Sequence, residues 1–464
     1  MSLRSFALKE YNFKIYYMKR RDFFTKAALA GGALALGNSC GRKIEKNAVD
    51  LTTSQKPGGA ALKFVTEPAR SIPVFAETDV LVIGGGPAGT AAAIAASNTG
   101  ASVWLIERYN HLGGLWTGGE VLPLLSTHAI DQNRKTKQVI YGLGDEMWQR
   151  LKKLGMSIDE VNPVIDPEAG KFVLEEMIIA SGVKLLYHTY AANVIMDGNT
   201  IKGVFIENKS GRAAIMAKIV IDCTGDGDIF HLAGDNYENM KYHIGLVHRL
   251  GNVDKINPNK PGFVKYPIGN RTPIPGVNWV NMHGKDEQDG IDAMNLSNLQ
   301  VEYRQKIWKD YQKMKQTPGY EQLYILDTAS QLGVRMSRIL DGDYRLTLED
   351  TMTYKKFKDV IGISGAWTPM LYKGKKVAVA DRPLWQIPLS SLVPKKTEGL
   401  LVAGRCFCFE KELVEDTRII GTCLITGHGA GVAAGLALKE RQNVRDLDLK
   451  KLEKELLSQN VYLG

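Results

Sequence analysis

The sequence predicts an α/β protein: a mainly parallel sheet with a β-meander forms one layer of a three-layer domain, and an α+β domain is inserted into it. Three observations predict this class. A strand, a glycine-rich turn, a small-residue helix and a second strand follow one another at 78–107, which is one βαβ unit. Short β segments follow at 183–224. A buried strand and a small-residue helix return at 399–440, after a long, less regular stretch.

The remaining elements follow from periodicity. Apolar residues at three- and four-residue spacings that stop at glycine predict helices at 142–155 and 172–182. Asp197-Gly198 predicts a hairpin turn between two strands. A further helix is expected around 298–314, and the amphipathic stretch at 447–459 predicts a helix near the end of the chain.

Composition is that of a soluble globular protein. The chain has 44% hydrophobic and 23% charged residues. Its 464 residues are enough for two or three domains, or for one large discontinuous domain. Much of the net charge of +9 comes from the first 39 residues, which leaves little excess positive charge in the rest of the chain. The sequence also has no clustered basic patch that would suggest a nucleic-acid partner. The five cysteines do not suggest a disulfide framework, and no cysteine–histidine spacing suggests a metal site.

The start of the chain has the features of an export leader. The sequence RRDFF at 20–24 precedes an apolar run at 27–36 that is too short to span a bilayer. This combination resembles a twin-arginine export signal and implies a periplasmic location. Cys40 resembles the cysteine of a lipoprotein cleavage site, but Gly37 stands where an aliphatic residue is usual. Lipid anchoring at Cys40 therefore stays open, as does a natural start at Met18.

Changes in composition and Gly/Pro breaks divide the chain into segments. These are a leader (1–39), a linker (40–76), the first part of a nucleotide-binding domain (77–235), an inserted substrate domain (236–394), the second part of the nucleotide-binding domain (395–440) and a C-terminal helix (441–464).

The glycine-rich turn has the form G-x-G-x-x-G between a strand and a helix. Gly84 allows the tight turn, Gly86 lets the backbone approach a pyrophosphate, and Gly89 permits close packing of the helix on the strand. Pro87 and Ala88 open the helix, whose N-terminus offers oriented N–H groups and positive potential. The turn therefore predicts a dinucleotide site.

The next residues distinguish FAD from NAD. Glu107 ends the second strand, where a carboxylate accepts hydrogen bonds from ribose hydroxyls and disfavours NADP, an argument that the neighbouring Arg108 weakens. Soon afterwards Gly113, Gly114 and Thr117 form a second glycine-rich loop. A longer dinucleotide such as FAD needs such a loop, and NAD domains do not usually have one.

Two later segments agree with FAD. Thr224, Gly225 and Asp226 follow a strand, where flavoproteins have a turn near the pyrophosphate. Gly404 and Arg405 follow another strand, and the helix after them would direct its N-terminus toward the flavin.

Taken together, the chain resembles FAD-dependent oxidoreductases with a Rossmann-like FAD-binding domain of the glutathione-reductase type, distantly like the flavoprotein of fumarate reductase. The resemblance runs from about residue 78 to 438. It rests on LVIGGGPAGTAAAIAA, LGGLWTGG, QVIYGLGDEMWQRL, IDPEAGKFVLEEM, DCTGDGDI, GVRMSRILDGDYRLTLED, QIPLSSLVPKKTEGLLVAGRC and TRIIGTCLITGHGAGVAAGLA. It implies FAD as cofactor and adds Val194 and Thr422 to the cofactor-binding residues already named.

The resemblance also implies catalytic residues. It places Arg335, Arg338 and Arg418 near the flavin or its pocket, where a guanidinium can hold a substrate carboxylate. Structural pairing is the alternative, and function is favoured modestly for Arg418. The aspartates considered as structural partners are Asp341, Asp343 and Asp416.

Other residues have competing interpretations. His428, expected at the start of the flavin-facing helix, could donate or accept a proton or simply pack. His111 is a weaker candidate for a covalent flavin link. Cys406 and Cys408 are interpreted as small buried residues rather than a redox disulfide.

The sequence thus predicts an exported FAD-dependent oxidoreductase that transfers a hydride between flavin and a small, sugar-derived or carboxylated substrate. We expect no dedicated NADH domain, so a separate electron carrier or a quinone is the expected partner. A lyase or isomerase that contains FAD, and a non-catalytic flavin-binding lipoprotein, are the alternatives.

Overall fold

The computed structural model describes residues 51–54, 62–130 and 135–464. Its contacts divide the chain into two units, Met1–Arg70 and Ser71–Gly464. The predicted export leader and Cys40 lie outside the described residues. Within the predicted linker, the structure describes two short strands that pair antiparallel, so this stretch is not wholly irregular.

The α-helices of the described residues begin and end as follows: α1 Pro87–Asn98, α2 Leu143–Lys153, α3 Pro167–Ala180, α4 Asp228–Ala233, α5 Ala293–Lys315, α6 Leu348–Thr353, α7 Val414–Thr417, α8 Ile420–Glu440 and α9 Leu449–Ser458.

The strands are β1 Leu51–Ser54, β2 Leu62–Val65, β3 Val74–Ile83, β4 Val103–Ile106, β5 His128–Ile130, β6 Thr136–Gln138, β7 Ser157–Ile158, β8 Val164–Ile165, β9 Lys184–Leu186, β10 Tyr190–Asp197, β11 Thr200–Asn208, β12 Gly211–Asp222, β13 Tyr237–Asn239, β14 Ile244–Gly251, β15 Asn270–Arg271, β16 Val277–Met282, β17 Tyr324–Thr328, β18 Gly333–Val334, β19 Arg338–Leu340, β20 Val360–Ser364, β21 Met370–Tyr372, β22 Lys375–Val377, β23 Trp385–Pro388 and β24 Leu400–Val402.

The main sheet confirms the predicted α/β class. Its strand order is β10-β11-β12-β3-β4-β9, and β24 pairs with the end of β12. Strands β12, β3, β4, β9 and β24 are parallel, whereas β10, β11 and β12 form an antiparallel meander. The predicted hairpin is present, with Gly198 and Asn199, rather than Asp197 and Gly198, between the paired residues Asp197 and Thr200.

The register of this sheet brings distant segments together. Asp222, at the end of β12, pairs with Ile83 and with Val402, and Ile83 pairs with Ile106. Parallel strands that end in register present the segments after them at one edge. The glycine-rich segments that begin at 84, 107, 223 and 403 therefore meet there.

Small residues allow α1 and α8 to cross at close range over this sheet. A Cβ on Gly427 would lie 2.0 Å from the Ala88 carbonyl oxygen, and a Cβ on Gly431 would lie 2.2 Å from that of Ala92. Among the described residues, α8 is long and apolar enough to cross a bilayer, and its whole apolar stretch is buried inside the protein, as in a core helix.

A second sheet has the order β15-β16-β14-β17, with β18 beside the start of β14. Helix α5 packs on this sheet through Leu299, Tyr303 and Ile307. It starts earlier than expected because Asp292 caps its N-terminus by accepting hydrogen bonds from Met294 and Asn295. This sheet lies within the predicted inserted domain, whose boundaries stay a prediction.

Candidate functional site

A large cleft opens at the edge where the parallel strands end. Its volume is about 1290 Å³, and its walls come from both sheets and from the first half of α5. Pockets for single small molecules usually measure roughly 300–1,000 Å³. The cleft therefore has room for a dinucleotide and a second molecule.

In the glycine-rich turn at the start of α1, some glycines are required by the fold and another leaves space for a ligand. Gly84 has φ +98°, and a Cβ there would lie 2.4 Å from the Cys223 carbonyl oxygen. A Cβ on Gly89 would lie 1.7 Å from the Gly84 carbonyl oxygen. In contrast, Gly86 has φ −67° and a Cβ there would meet no protein atom within 4 Å, although Gly86 lines the cleft. The fold requires glycine at 84 and 89, while position 86 leaves open space for a ligand.

Glu107 is fixed at the cleft wall by backbone groups. Its two carboxylate oxygens accept hydrogen bonds from Gly85 N–H at 2.6 Å and Tyr109 N–H at 2.8 Å. The side chain is buried and lines the cleft. Each carboxylate oxygen has further lone pairs, so Glu107 can still accept hydrogen bonds from a ribose.

Asp226 also lines the cleft and binds several neighbouring side chains. Arg405 Nη2 donates to Asp226 Oδ1 at 2.7 Å and Ser337 Oγ donates to it at 2.8 Å, while Arg108 lies 3.7 Å from Oδ2. Burial alone would raise the pKa of Asp226, but Arg405 and then Arg108 outweigh it and hold that pKa below its ordinary value. Among the described residues, Arg405 Nε is buried without a hydrogen-bond partner. The N–H group at Arg405 Nε is therefore a hydrogen-bond donor without an acceptor in the described wall of the cleft.

Most of the predicted cofactor-binding residues line this cleft. They are Gly84, Gly86, Pro87, Ala88, Glu107, Arg108, Gly114, Thr224, Gly225, Asp226, Gly404 and Arg405. Gly89, Gly113 and Thr117 lie behind its wall: Gly113 N–H donates to the Gly85 carbonyl at 2.8 Å, and the Thr117 hydroxyl is buried against the Leu112 carbonyl.

Val194 and Thr422 are placed away from the cleft. Val194 lies inside β10 and packs on a core cluster, whereas Ala191, near the start of that strand, lines the cleft. The two are about 10 Å apart along the strand. Thr422 is fully buried and donates to the Asp416 carbonyl at 2.8 Å.

The expected position of His428 at the start of its helix is wrong. Helix α8 begins at Ile420, after an extended Ile419 that gives no side-chain cap. His428 is buried in the middle of α8, and its Nε2 lies 3.1 Å from Gln459 Oε1, outside the cleft lining. The residues at the cleft are instead Ile419, Ile420 and Cys423, so the start of α8 does face it.

The predicted arginines line the cleft, but they differ in their ion pairs. Arg338 Nη1 donates to Asp228 at 3.1 Å, and Arg418 is paired with Glu415 three residues before it. In the described part of the chain, Arg335 has neither an ion pair nor a hydrogen bond. Burial, followed by the nearby Arg418, lowers the pKa of Arg335 to about 10, so it stays a cation at neutral pH. Arg335, rather than Arg418, is the available positive charge.

The aspartates considered as partners for these arginines have other partners. Asp416 binds the buried Arg382 at 2.6 Å. Asp341 binds Lys395 at 2.7 Å, and Asp343 binds Arg445 at 2.9 Å. Arg338 therefore pairs with a different acid from those considered, and Arg335 has no ion pair among the described residues.

Sequence reasoning missed the residues around Arg335. Glu415 holds Arg418 and accepts a hydrogen bond from the Tyr242 hydroxyl at 2.8 Å. Burial, followed by Arg335, lowers the pKa of His243 to about 4, so this imidazole is neutral at neutral pH. The i,i+3 spacing of Glu415 and Arg418 could have indicated their pairing.

The remaining sequence candidates are buried. His111 lies outside the cleft lining, with Nδ1 3.3 Å from the Leu112 carbonyl and Nε2 3.2 Å from Gln331 Nε2. Cys406 and Cys408 are buried free thiols, as expected, and burial raises the pKa of both.

A separate charged cluster lies outside the cleft lining. Arg249 pairs with Asp327, lies 3.5 Å from Asp166 and lies 3.9 Å from Glu120. Glu120 Oε2 is buried without a hydrogen-bond partner among the described residues. Burial, followed by repulsion from Asp327, raises the pKa of Glu120 to about 8.

The residues at the strand ends fit a bound FAD. The space over Gly86 and the N-terminus of α1 suit a pyrophosphate, Glu107 suits a ribose, and Arg405 Nε is an unused buried donor. Within the described ranges, no group of three or more metal-ligating side chains comes together.

The comparison with solved structures found partial similarity over most of the chain. A geranylgeranyl bacteriochlorophyll reductase-like protein from Thermoplasma acidophilum is 15% identical, with 83% of this chain and 84% of that chain covered at a TM-score of 0.43. The p-nitrophenol 4-monooxygenase of Pseudomonas putida is 12% identical, with 82% and 84% covered at a TM-score of 0.42.

Curated relatives match part of the chain. A digeranylgeranylglycerophospholipid reductase of Picrophilus torridus is 26% identical over 259 residues, which are 52% of this chain and 62% of that protein. A thiamine thiazole synthase of Methanococcus aeolicus is 29% identical over 167 residues, which are 32% of this chain and 55% of that protein. The chain thus spans less than two thirds of the length of either relative.

The family comparison covers most of the chain. The sequence model described as FAD dependent oxidoreductase matches residues 79–245 and 241–456, which include the glycine-rich segments and Arg335. The chain belongs to the FAD dependent oxidoreductase family, and it is an enzyme with FAD as its cofactor.

Proposed function

We propose that this enzyme transfers a hydride between FAD and a small carboxylated substrate that Arg335 binds. The observation that carries the proposal is the unpaired guanidinium of Arg335 in the cleft wall. Arg335 is half-buried, so its guanidinium is partly removed from water, and a carboxylate ligand would satisfy both its charge and its N–H donors.

The neighbouring residues favour Arg335 as the anchor. Glu415 neutralises Arg418, and Tyr242 holds Glu415 in place. A substrate carboxylate near Arg418 would meet Glu415, which is paired with it, whereas Arg335 forms no ion pair within the described residues and feels Glu415 only from a greater distance. Bound FAD supplies the two-electron acceptor or donor for the hydride.

The electrons come from or go to a separate carrier or a quinone, which follows from the single dinucleotide motif in the sequence. The fold also gives a reason why this protein would use an export route that carries folded proteins. Segments from 84 to 405 must come together before the FAD cleft exists, so cofactor loading needs a folded chain. We extend the proposal to a periplasmic enzyme exported through the RRDFF signal, with a lipid at Cys40 as its optional tether.

The proposal is tested by anaerobic mixing of FAD-loaded protein with a panel of small carboxylic acids, while the visible absorbance of the flavin is followed. We expect bleaching of oxidised flavin, or reoxidation of dithionite-reduced flavin, by at least one acid. Turnover without any redox change of the flavin would favour a lyase or isomerase instead. A flavin that neither substrates nor dithionite can reduce would contradict an oxidoreductase role.

A further inference from the structure

Beyond Arg335, the cleft continues along the second sheet. Trp279 and Asn281 lie on β16, two residues apart, and His283 follows the strand at the same spacing. Alternate residues of a strand point to one face, and all three line the cleft. Asn270, which pairs directly with Trp279, also lines it, as does Gln300 of α5. We call these five residues the polar row.

The side chains of the polar row have unused hydrogen-bonding groups. Trp279 is only 6% exposed, and its Nε1–H is buried without a partner. Gln300 Nε2 is also buried without a partner. In the described ranges, the side chains of Asn270, Asn281 and His283 form no hydrogen bond either. Unsatisfied buried donors are rare in proteins, and two of them, on Trp279 and Gln300, lie in this one wall. Asn270, Asn281 and His283 are exposed, so their polar groups are free to bind a ligand with acceptor oxygens.

The part of the cleft around the polar row carries no excess charge. Its charged lining residues, Asp159 and Arg271, form an ion pair with each other. The polar row itself consists of amide, indole and imidazole groups. Such a wall matches neutral hydroxyl groups, which both donate and accept hydrogen bonds, better than a second charged group.

The polar row lies within reach of Arg335. Val334, which precedes Arg335, pairs with Ile244 on β14, and Asn281 pairs with Val247 on the same strand. Three residues along a strand span about 10 Å, a distance that one sugar ring with its substituents can bridge. At the near end of the row, the His283 ring lies 5.7 Å from His243, the imidazole whose pKa Arg335 helps to lower.

We propose that the polar row binds the hydroxyl groups of a sugar whose carboxylate binds Arg335, so that the substrate is a sugar acid. This inference rests on the proposed function, because it takes Arg335 as the carboxylate anchor. It adds a second subsite that distinguishes a hydroxylated acid from a simple one.

The test measures binding to the FAD-loaded protein by isothermal titration calorimetry, with D-glucuronate, D-glucose and propionate as probes. We expect glucuronate to bind more tightly than either propionate or glucose. Asn281→Ala and Gln300→Leu should each weaken glucuronate binding about 3- to 10-fold, the effect of one lost hydrogen bond, and leave propionate binding unchanged. Gln305→Leu, an exposed glutamine of the same helix outside the cleft lining, is the matched control.

Gln300→Leu also gives a stability readout. Replacing an unsatisfied buried amide by an apolar group of similar size should raise the melting temperature above that of Gln305→Leu. A glutamine with a structural role would lower it.

The two proposals fail differently. Glucuronate that binds no more tightly than propionate, or that binds equally to wild type, Asn281→Ala and Gln300→Leu, would overturn the sugar-acid subsite. The proposed function would survive that result if simple carboxylic acids still changed the redox state of the flavin.

Discussion

Replacing Gly86 by alanine should separate cofactor binding from folding. In the folded protein Gly86 has φ −67°, which alanine adopts freely, and the added Cβ would meet no protein atom within 4 Å. Losing glycine stiffens the unfolded chain and stabilises the fold by about 0.4–1 kcal/mol. Alanine is a poorer N-cap than glycine for α1 by roughly 0.5–1 kcal/mol. These effects nearly cancel, so the protein without FAD should melt within about 2 °C of wild type.

FAD binding should respond very differently. The new methyl group occupies the space where the pyrophosphate approaches the turn, and forcing a methyl group into a filled site costs about 1–3 kcal/mol. This predicts about 5- to 150-fold weaker FAD binding, measured by titrating FAD into the protein after cofactor removal and following flavin fluorescence.

Gly89→Ala is the contrasting variant. Its Cβ would lie 1.7 Å from the Gly84 carbonyl oxygen, so the helix must move and the melting temperature of the protein without FAD should fall clearly. If Gly86→Ala bound FAD with wild-type affinity, the assignment of the open space over Gly86 to the cofactor would be refuted.

Other expectations follow from the charged groups. Asp226→Asn leaves the buried Arg405 without its ionic partner and should cost about 3–5 kcal/mol of stability near pH 7, measured by chemical denaturation. The folded-state pKa of Asp226 is lowered, so in wild type the stability that the ionised Asp226 contributes should be lost as the pH falls through that pKa. Glu120 has its folded-state pKa raised from 4.5 to about 8, so its unfolded form loses the proton first and wild type should lose stability as the pH rises through that window. Glu120→Gln should therefore melt above wild type at pH 8 and close to it at pH 5; equal differences at both pH values would contradict the burial of a neutral acid. Arg20→Lys together with Arg21→Lys should leave flavin-loaded protein in the cytoplasm, measured by cell fractionation, and unchanged export would contradict the twin-arginine proposal.

The sequence was most informative where function depends on local backbone. The turn at 84–89 and the segments at 224–226 and 404–405 each follow a buried strand, so their meeting at one edge followed from the parallel arrangement. His428 was misplaced because the helix that was expected there begins at Ile420, which puts His428 in its middle rather than at its start.

Apart from the local i,i+3 pair of Glu415 and Arg418, the ion pairs could not be predicted from the sequence, because their partners come together only in the folded chain. Asp416 stood close to Arg418 in the chain, yet it binds Arg382, and Glu415 takes Arg418. The folded structure was needed to show that Arg335 forms no ion pair among the described residues, although Glu415 acts on it from a greater distance. The alternation of Trp279, Asn281 and His283 is visible in the sequence, but only the register of β16 on β14 shows where these residues lie relative to Arg335.

The most direct test of the central claim compares wild type and Arg335→Gln in anaerobic rapid mixing of FAD-loaded enzyme with a carboxylic acid that changes the redox state of the flavin. We expect a half-saturating concentration at least about tenfold higher in Arg335→Gln, since a charge-assisted contact is lost, with a smaller change in the limiting rate. Arg441→Gln, at the end of α8 and outside the cleft lining, should behave as wild type. Equal half-saturating concentrations for wild type and Arg335→Gln would contradict the claim that Arg335 binds the substrate carboxylate.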